Sequence, residues 1–118
     1  MGKILITLAG QEVAPRFDLC GEVFIAATAA GKVSGEPRTV LLPGPSADDL
    51  CSLILKEEVS LVVCGGIEEP HYQYLTWKRI KVIDRVIGHL DDLLPLALNE
   101  QLPAGAIVRR HPKREGKP

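Results

Sequence analysis

The sequence predicts a single α/β domain whose mixed sheet is built around its first strand, and three observations predict it. Lys3-Ile4-Leu5-Ile6-Thr7-Leu8-Ala9 is a near-continuous apolar run, the pattern of a strand buried on both faces. Val59 to Cys64 is a second run of the same kind, preceded by an amphipathic stretch that reads as a crossover helix. With 118 residues, 46% of them apolar and 25% charged, the chain can fill one core and is too short for two comfortable domains.

The elements follow in order. The first strand stops at Gly10, and residues 10–20 form a polar loop containing Pro15. Gly21 to Thr28 reads as a second strand, Ala29-Ala30-Gly31-Lys32 as a hairpin turn, and Arg38 to Leu42 as a third strand halted by Pro43-Gly44-Pro45. Ser46 can accept an orphan amide hydrogen bond, and Asp48 and Asp49 suit the positive end of a helix dipole, so a helix is expected from Ala47 to about Glu58. Ala47, Leu50, Cys51, Leu53 and Ile54 form its inner stripe. The fourth strand, Val59 to Cys64, is stopped by Gly65-Gly66. A helix with Pro70 in its first turn then runs to about Arg79, and a fifth strand spans Ile80 to Val86. Gly88 marks a turn before a last helix from Leu90 to about Gln101, in which Pro95 is expected to make a kink or mark the first turn. The predicted domain is therefore 1–102, and the Pro, Gly and like charge beyond it predict a disordered basic tail over 103–118.

Bulk properties exclude several functions. No apolar stretch approaches the roughly 20 residues of a bilayer span. Met1-Gly2-Lys3 leads straight into a strand without a secretory leader's apolar core, so a cytoplasmic location is expected, with no membrane partner. The net charge of -1 divides unevenly: residues 109–118 carry five Lys/Arg and one Glu, leaving nine basic and fourteen acidic residues before them. An acidic body is a poor electrostatic footprint for nucleic acid. Cys20, Cys51 and Cys64 contain no CxxC pair, which argues against a disulfide framework or a zinc ribbon and for reduced thiols.

Three segments carry a likeness to a known family: Lys3-Ile4-Leu5-Ile6 leading to Val13-Ala14-Pro15-Arg16-Phe17-Asp18, then Val62-Val63-Cys64-Gly65-Gly66-Ile67, then Ile80-Lys81-Val82-Ile83 with Gly88 before an acidic helix. Together they resemble the nitrogenase iron-molybdenum cofactor biosynthesis family of the NifX/NifB type, which includes nitrogenase accessory factor-like carriers. The resemblance covers residues 3–102. It implies a ribonuclease H-like three-layer α/β/α fold with a mixed five-stranded sheet, order 3-2-1-4-5, strand 2 antiparallel. It also implies a metal-sulfur cluster as ligand, either iron-molybdenum cofactor-like or another iron-sulfur or molybdenum-containing species, and cluster donor or acceptor proteins as partners. Glu68-Glu69-Pro70 departs from the Gly-Pro that many relatives place after Gly-Gly-Ile, adding two carboxylates near an expected anionic ligand.

If the first and fourth strands are parallel neighbours, the loop at 10–20 and the turn at 65–70 open at one carboxyl edge, where ligands of open α/β sheets settle. Cys20 and Cys64 would offer soft thiolates there, and His71 an imidazole nitrogen, as metal ligands. Their plain structural readings are a semi-exposed thiol, a small buried hydrophobe and an exposed first-turn histidine. Arg16 could hold sulfides by charge-assisted hydrogen bonds, with the amides of Gly65, Gly66 and Ile67 forming an anion-accepting concavity. A salt bridge from Arg16 to Asp18 is the structural alternative. Cys51 and Phe17 read as core, and Trp77, Tyr72 and Tyr74 as helix packing. The first strand has no acid of the kind that holds magnesium in ribonuclease H-like nucleases, and no P-loop, GxGxxG or Ser-His-Asp pattern appears. The expected function is non-catalytic binding or carriage of a cluster, and the alternative is a metal-free protein-interaction or regulatory module.

Overall fold

The apolar run at the start of the chain forms the middle of the sheet, where both of its faces can be covered. In a computed structural model, which describes residues 2–109, six strands are β1 (Gly2–Ala9), β2 (Glu12–Val13), β3 (Glu22–Ala29), β4 (Lys32–Leu41), β5 (Leu61–Val63) and β6 (Lys81–Ile83). They form one sheet in the order β4-β3-β1-β5-β6, with β2 paired antiparallel to the end of β1. β3 runs antiparallel to β1 and β4, whereas β1, β5 and β6 are mutually parallel, so the sheet is mixed.

Strand alternation sends side chains into two separate cores. Ile4, Ile6 and Leu8 pack with Leu90, Leu93 and Ala97 of α3 (Leu90–Leu98). Leu5 points the other way, toward Leu50, Cys51 and Ile54 of α1 (Ala47–Lys56) and Leu75 of α2 (Glu69–Trp77). Helices thus cover both faces, and each fully buried Leu or Ile contributes about 1.5–3 kcal/mol. Ser46 caps α1 as expected, accepting a hydrogen bond from the Asp49 amide at 3.1 Å. At the far end of α1, Glu57 accepts hydrogen bonds from Arg38 and Lys3 at 2.6 and 3.3 Å, which tie α1 to β4 and β1 and hold its carboxyl below its ordinary range. Among the described residues no helix is long and apolar enough to cross a membrane.

The structure corrects several boundaries. The sheet has a sixth strand, β2, two residues folded back on β1 and too short to show a period of its own. β4 begins at Lys32 rather than Arg38: it is an edge strand, and a register shift with Gly35 at φ 76 carries the pairing past Pro37. β6 ends at Ile83 rather than Val86, and the three helices stop at Lys56, Trp77 and Leu98. Pro95 lies inside α3. The segment expected to be a free tail from Pro103 is instead docked through Val108. The Gly105 amide donates to the Asp84 carbonyl at 2.8 Å, the Ile87 amide to Ala106 at 2.9 Å and the Val108 amide to Ile87 at 2.7 Å, while Ala106 and Val108 pack on the α3 side. The rest of the expected tail, 110–118, lies outside the described residues.

Candidate functional site

At the carboxyl edge of the sheet the chain leaving β1 is clasped to the chain leaving β5. The Gly66 amide donates to the Pro15 carbonyl at 2.7 Å, and the Phe17 amide donates back to the Gly66 carbonyl at 2.8 Å, so Arg16 and Gly66 pair like one rung of a parallel ladder. Gly65 is required by this approach. A methyl group on it would meet the carbonyl oxygens of Ala14 and Pro15, the latter at 2.5 Å. The Arg85 amide closes the other side, donating to the Gly65 carbonyl at 2.9 Å. Phe17 is buried and anchors a short 3-10 turn, Phe17–Leu19, beneath the clasp.

Two grooves flank it. One, of about 380 Å³, is lined by Leu8, Ala14, Arg16, Leu19 and Leu41 among others. The second, of about 360 Å³, runs between Glu12, Pro15, Gly65, Gly66 and Arg85. A guanidinium therefore stands at each: Arg16 is held by Asp18 through Nε and Nη2 at 3.1 and 2.7 Å, and exposed Arg85 lies 3.5 Å from Asp84. Each pairing leaves donors of the fork unused.

The predicted donors divide between the edge and the interior. His71 stands in the first turn of α2, its ring centroid 6.1 Å from Phe17 and its Nε2 3.8 Å from a Glu68 carboxylate oxygen. Ile67 is partly buried against the α1 and α2 core. The Gly66 amide is committed to Pro15 and so is not offered to an anion. Cys20 and Cys64 are both enclosed in the apolar layer under α1 and α2, not in a groove. The Cys20 thiol donates to the Glu22 carbonyl at 2.8 Å, and burial pushes its pKa up. Burial, with Asp84 and Cys20 adding to it, pushes Cys64 up to about 12. Such thiols are protonated and poor ligands. Cys51, at about 11 and buried on α1, is core as expected. Among the described residues no three of His, Cys, Asp and Glu converge to hold a metal ion.

Two residues at this edge go unmarked in the sequence reading. Arg85 falls within the expected fifth strand, and only the early end of β6 turns it toward the groove. Thr7 sits beside Cys64, since Ile6 and Val63 are register partners, and its buried hydroxyl has no hydrogen-bond partner among the described residues. No sequence signal marks it beyond a polar residue inside an apolar run.

No protein-family model matches the chain, and no curated protein does. Solved structures do. The chain is similar to the protein PH0822, at 16% identity and a TM-score of 0.75 over 98% of this chain and 99% of that one. A Methanocaldococcus jannaschii protein described as a candidate dinitrogenase matches at 20% identity and a TM-score of 0.70, over 86% and 91% of the two chains. A Thermotoga protein described as a candidate NifB protein matches at 14% identity and 0.68, over 94% and 100%. At these identities the likeness extends to the fold: this chain shares the architecture of all three over nearly their whole length.

Proposed function

We propose that this protein binds or carries a metal-sulfur cluster of the kind handled in nitrogenase cofactor biosynthesis, as cargo and without catalysing a reaction on it. The observation that carries this reading is the clasp at the carboxyl edge with a guanidinium at each flanking groove, where open sheets of this class take ligands. The names of two structural neighbours, a candidate dinitrogenase and a candidate NifB protein, support the same theme. The strand order, with the short β2 set aside, supports a ribonuclease H-like description of the fold. Because Cys20 and Cys64 are closed into the core, the cargo would be held from outside: Arg16 and Arg85 on its anionic sulfides, and half-buried His71, in the first turn of α2, as an imidazole donor.

The test is anaerobic incubation of the full chain with an iron-sulfur or iron-molybdenum cluster, followed by desalting, metal and sulfide analysis and visible absorption. Wild type is expected to retain cluster. Arg85→Ala should weaken retention by at least about tenfold, as loss of a charge-assisted contact of about 1.5–3 kcal/mol requires, His71→Ala should weaken it too, and Cys51→Ala should leave it unchanged. Wild-type protein that retains no metal would overturn the reading in favour of a metal-free interaction module.

A further inference from the structure

The outer face of α2 is built unlike the other helix surfaces. Leu75 is fully buried, yet Trp77 at the end of the helix is 74% exposed, with the ring of Tyr74 beside it at 6.5 Å between centroids. Lys78 Nζ lies over both rings, 5.0 Å from the Trp77 centroid and 5.8 Å from that of Tyr74. The surrounding stretch, residues 70–83, carries Lys78, Arg79 and Lys81 and no carboxylate, within a body otherwise in acidic excess. None of these three cations forms an ion pair with a carboxylate among the described residues.

An exposed indole and phenol side by side forgo the burial that usually makes such residues worth keeping, and Trp, Tyr and Arg are the side chains that dominate interface energies. Lys78 over the rings, with Arg79 and Lys81 next in the chain and none of the three ion-paired among the described residues, sets the sign of the partner. Single-stranded nucleic acid also uses stacking and positive charge, but the acidic excess of the rest of the chain opposes a polyphosphate backbone. We infer that the Tyr74 and Trp77 face of α2, with Lys78, Arg79 and Lys81, docks an acidic polypeptide segment that lays an apolar side chain against Trp77. α2 starts beside the clasp and carries Trp77 about 13 Å away along its axis, so this surface can be occupied while both grooves stay open.

Trp77 is the only tryptophan, so its emission reports on this surface directly. The full chain, free of metal, is titrated at low salt with a synthetic peptide of about twelve residues in which glutamates flank a central Leu-Phe pair, and with the same peptide carrying glutamines. The glutamate peptide is expected to shift the emission to the blue with saturation, and the glutamine peptide to bind at least about tenfold more weakly. Lys78→Glu with Arg79→Glu should weaken the glutamate peptide by a similar factor, with circular dichroism unchanged. Absence of a shift, equal binding of both peptides, or tighter binding of an oligothymidylate would each overturn the assignment. The experiment involves no cluster, so its failure leaves the cargo reading where it stood.

Discussion

Thr7 and Cys64 show how one strand's parity decides what a polar atom can do. Val62 and Cys64 are two residues apart and share a face, so Cys64 has to join the apolar layer that Val62 enters. That parity is legible in the sequence, but the expectation of a crevice at the strand end points the thiol outward. Thr7 lies on the same side in the neighbouring strand, and among the described residues nothing compensates the desolvation of its hydroxyl. Thr7→Val, which keeps the shape and removes the hydroxyl, is expected to raise unfolding free energy by about 1–2 kcal/mol, read as a higher urea midpoint at constant slope. A lower midpoint would mean that the hydroxyl has a partner. Arg85 is illegible for a different reason: its role depends on the chain leaving the sheet after Ile83, and the apolar pattern continues through Val86.

The helices are legible at their starts and not at their stops. Ser46, Pro70 and the acids of each first turn are local signals, and each helix begins within a residue or so of them. All three ends use one motif without the glycine that normally announces it. After α1 the Glu58 amide donates to Leu55 and the Val59 amide to Ile54; after α2 Arg79 donates to Thr76 and Ile80 to Leu75; after α3 Glu100 donates to Ala97 and Gln101 to Leu96. Glu58, Arg79 and Glu100 hold φ of 59, 67 and 58, the left-handed conformation at the position where glycine is usual. A sequence reading that waits for glycine therefore runs each helix two or three residues too far. The strain offers a measurement. Glu58→Gly is expected to stabilise the protein by about 0.5–1 kcal/mol, raising the thermal midpoint by a few degrees, because glycine takes this conformation without the Cβ clash. A loss of stability would show that the Glu58 side chain contributes more than its backbone costs.

At the scale of the whole molecule, the central strand and the two crossovers are legible because they rest on long apolar runs, while β2 and the docked segment 103–108 rest on isolated hydrogen bonds and are not. The sheet also joins two kinds of pairing. β3 and β4 meet across the tight turn at Ala30 and Gly31, and β1 reaches β3 through the twelve residues 10–21, but the β1 and β5 edges meet only when Lys3 finds Ser60, 57 residues away. Loop-closure entropy delays such a contact, so the antiparallel half of the sheet is expected to assemble first and the parallel half to zip on afterwards. During refolding, a brief pulse of alkylating reagent should still modify Cys64 after the amides of β3 and β4 have become protected from exchange. Simultaneous protection of both would contradict that order. The strand that leads into the clasp glycines thus joins after the antiparallel half, and a newly made chain is expected to pass through an interval in which the thiols that the finished fold shuts away are open to soft metals and oxidants.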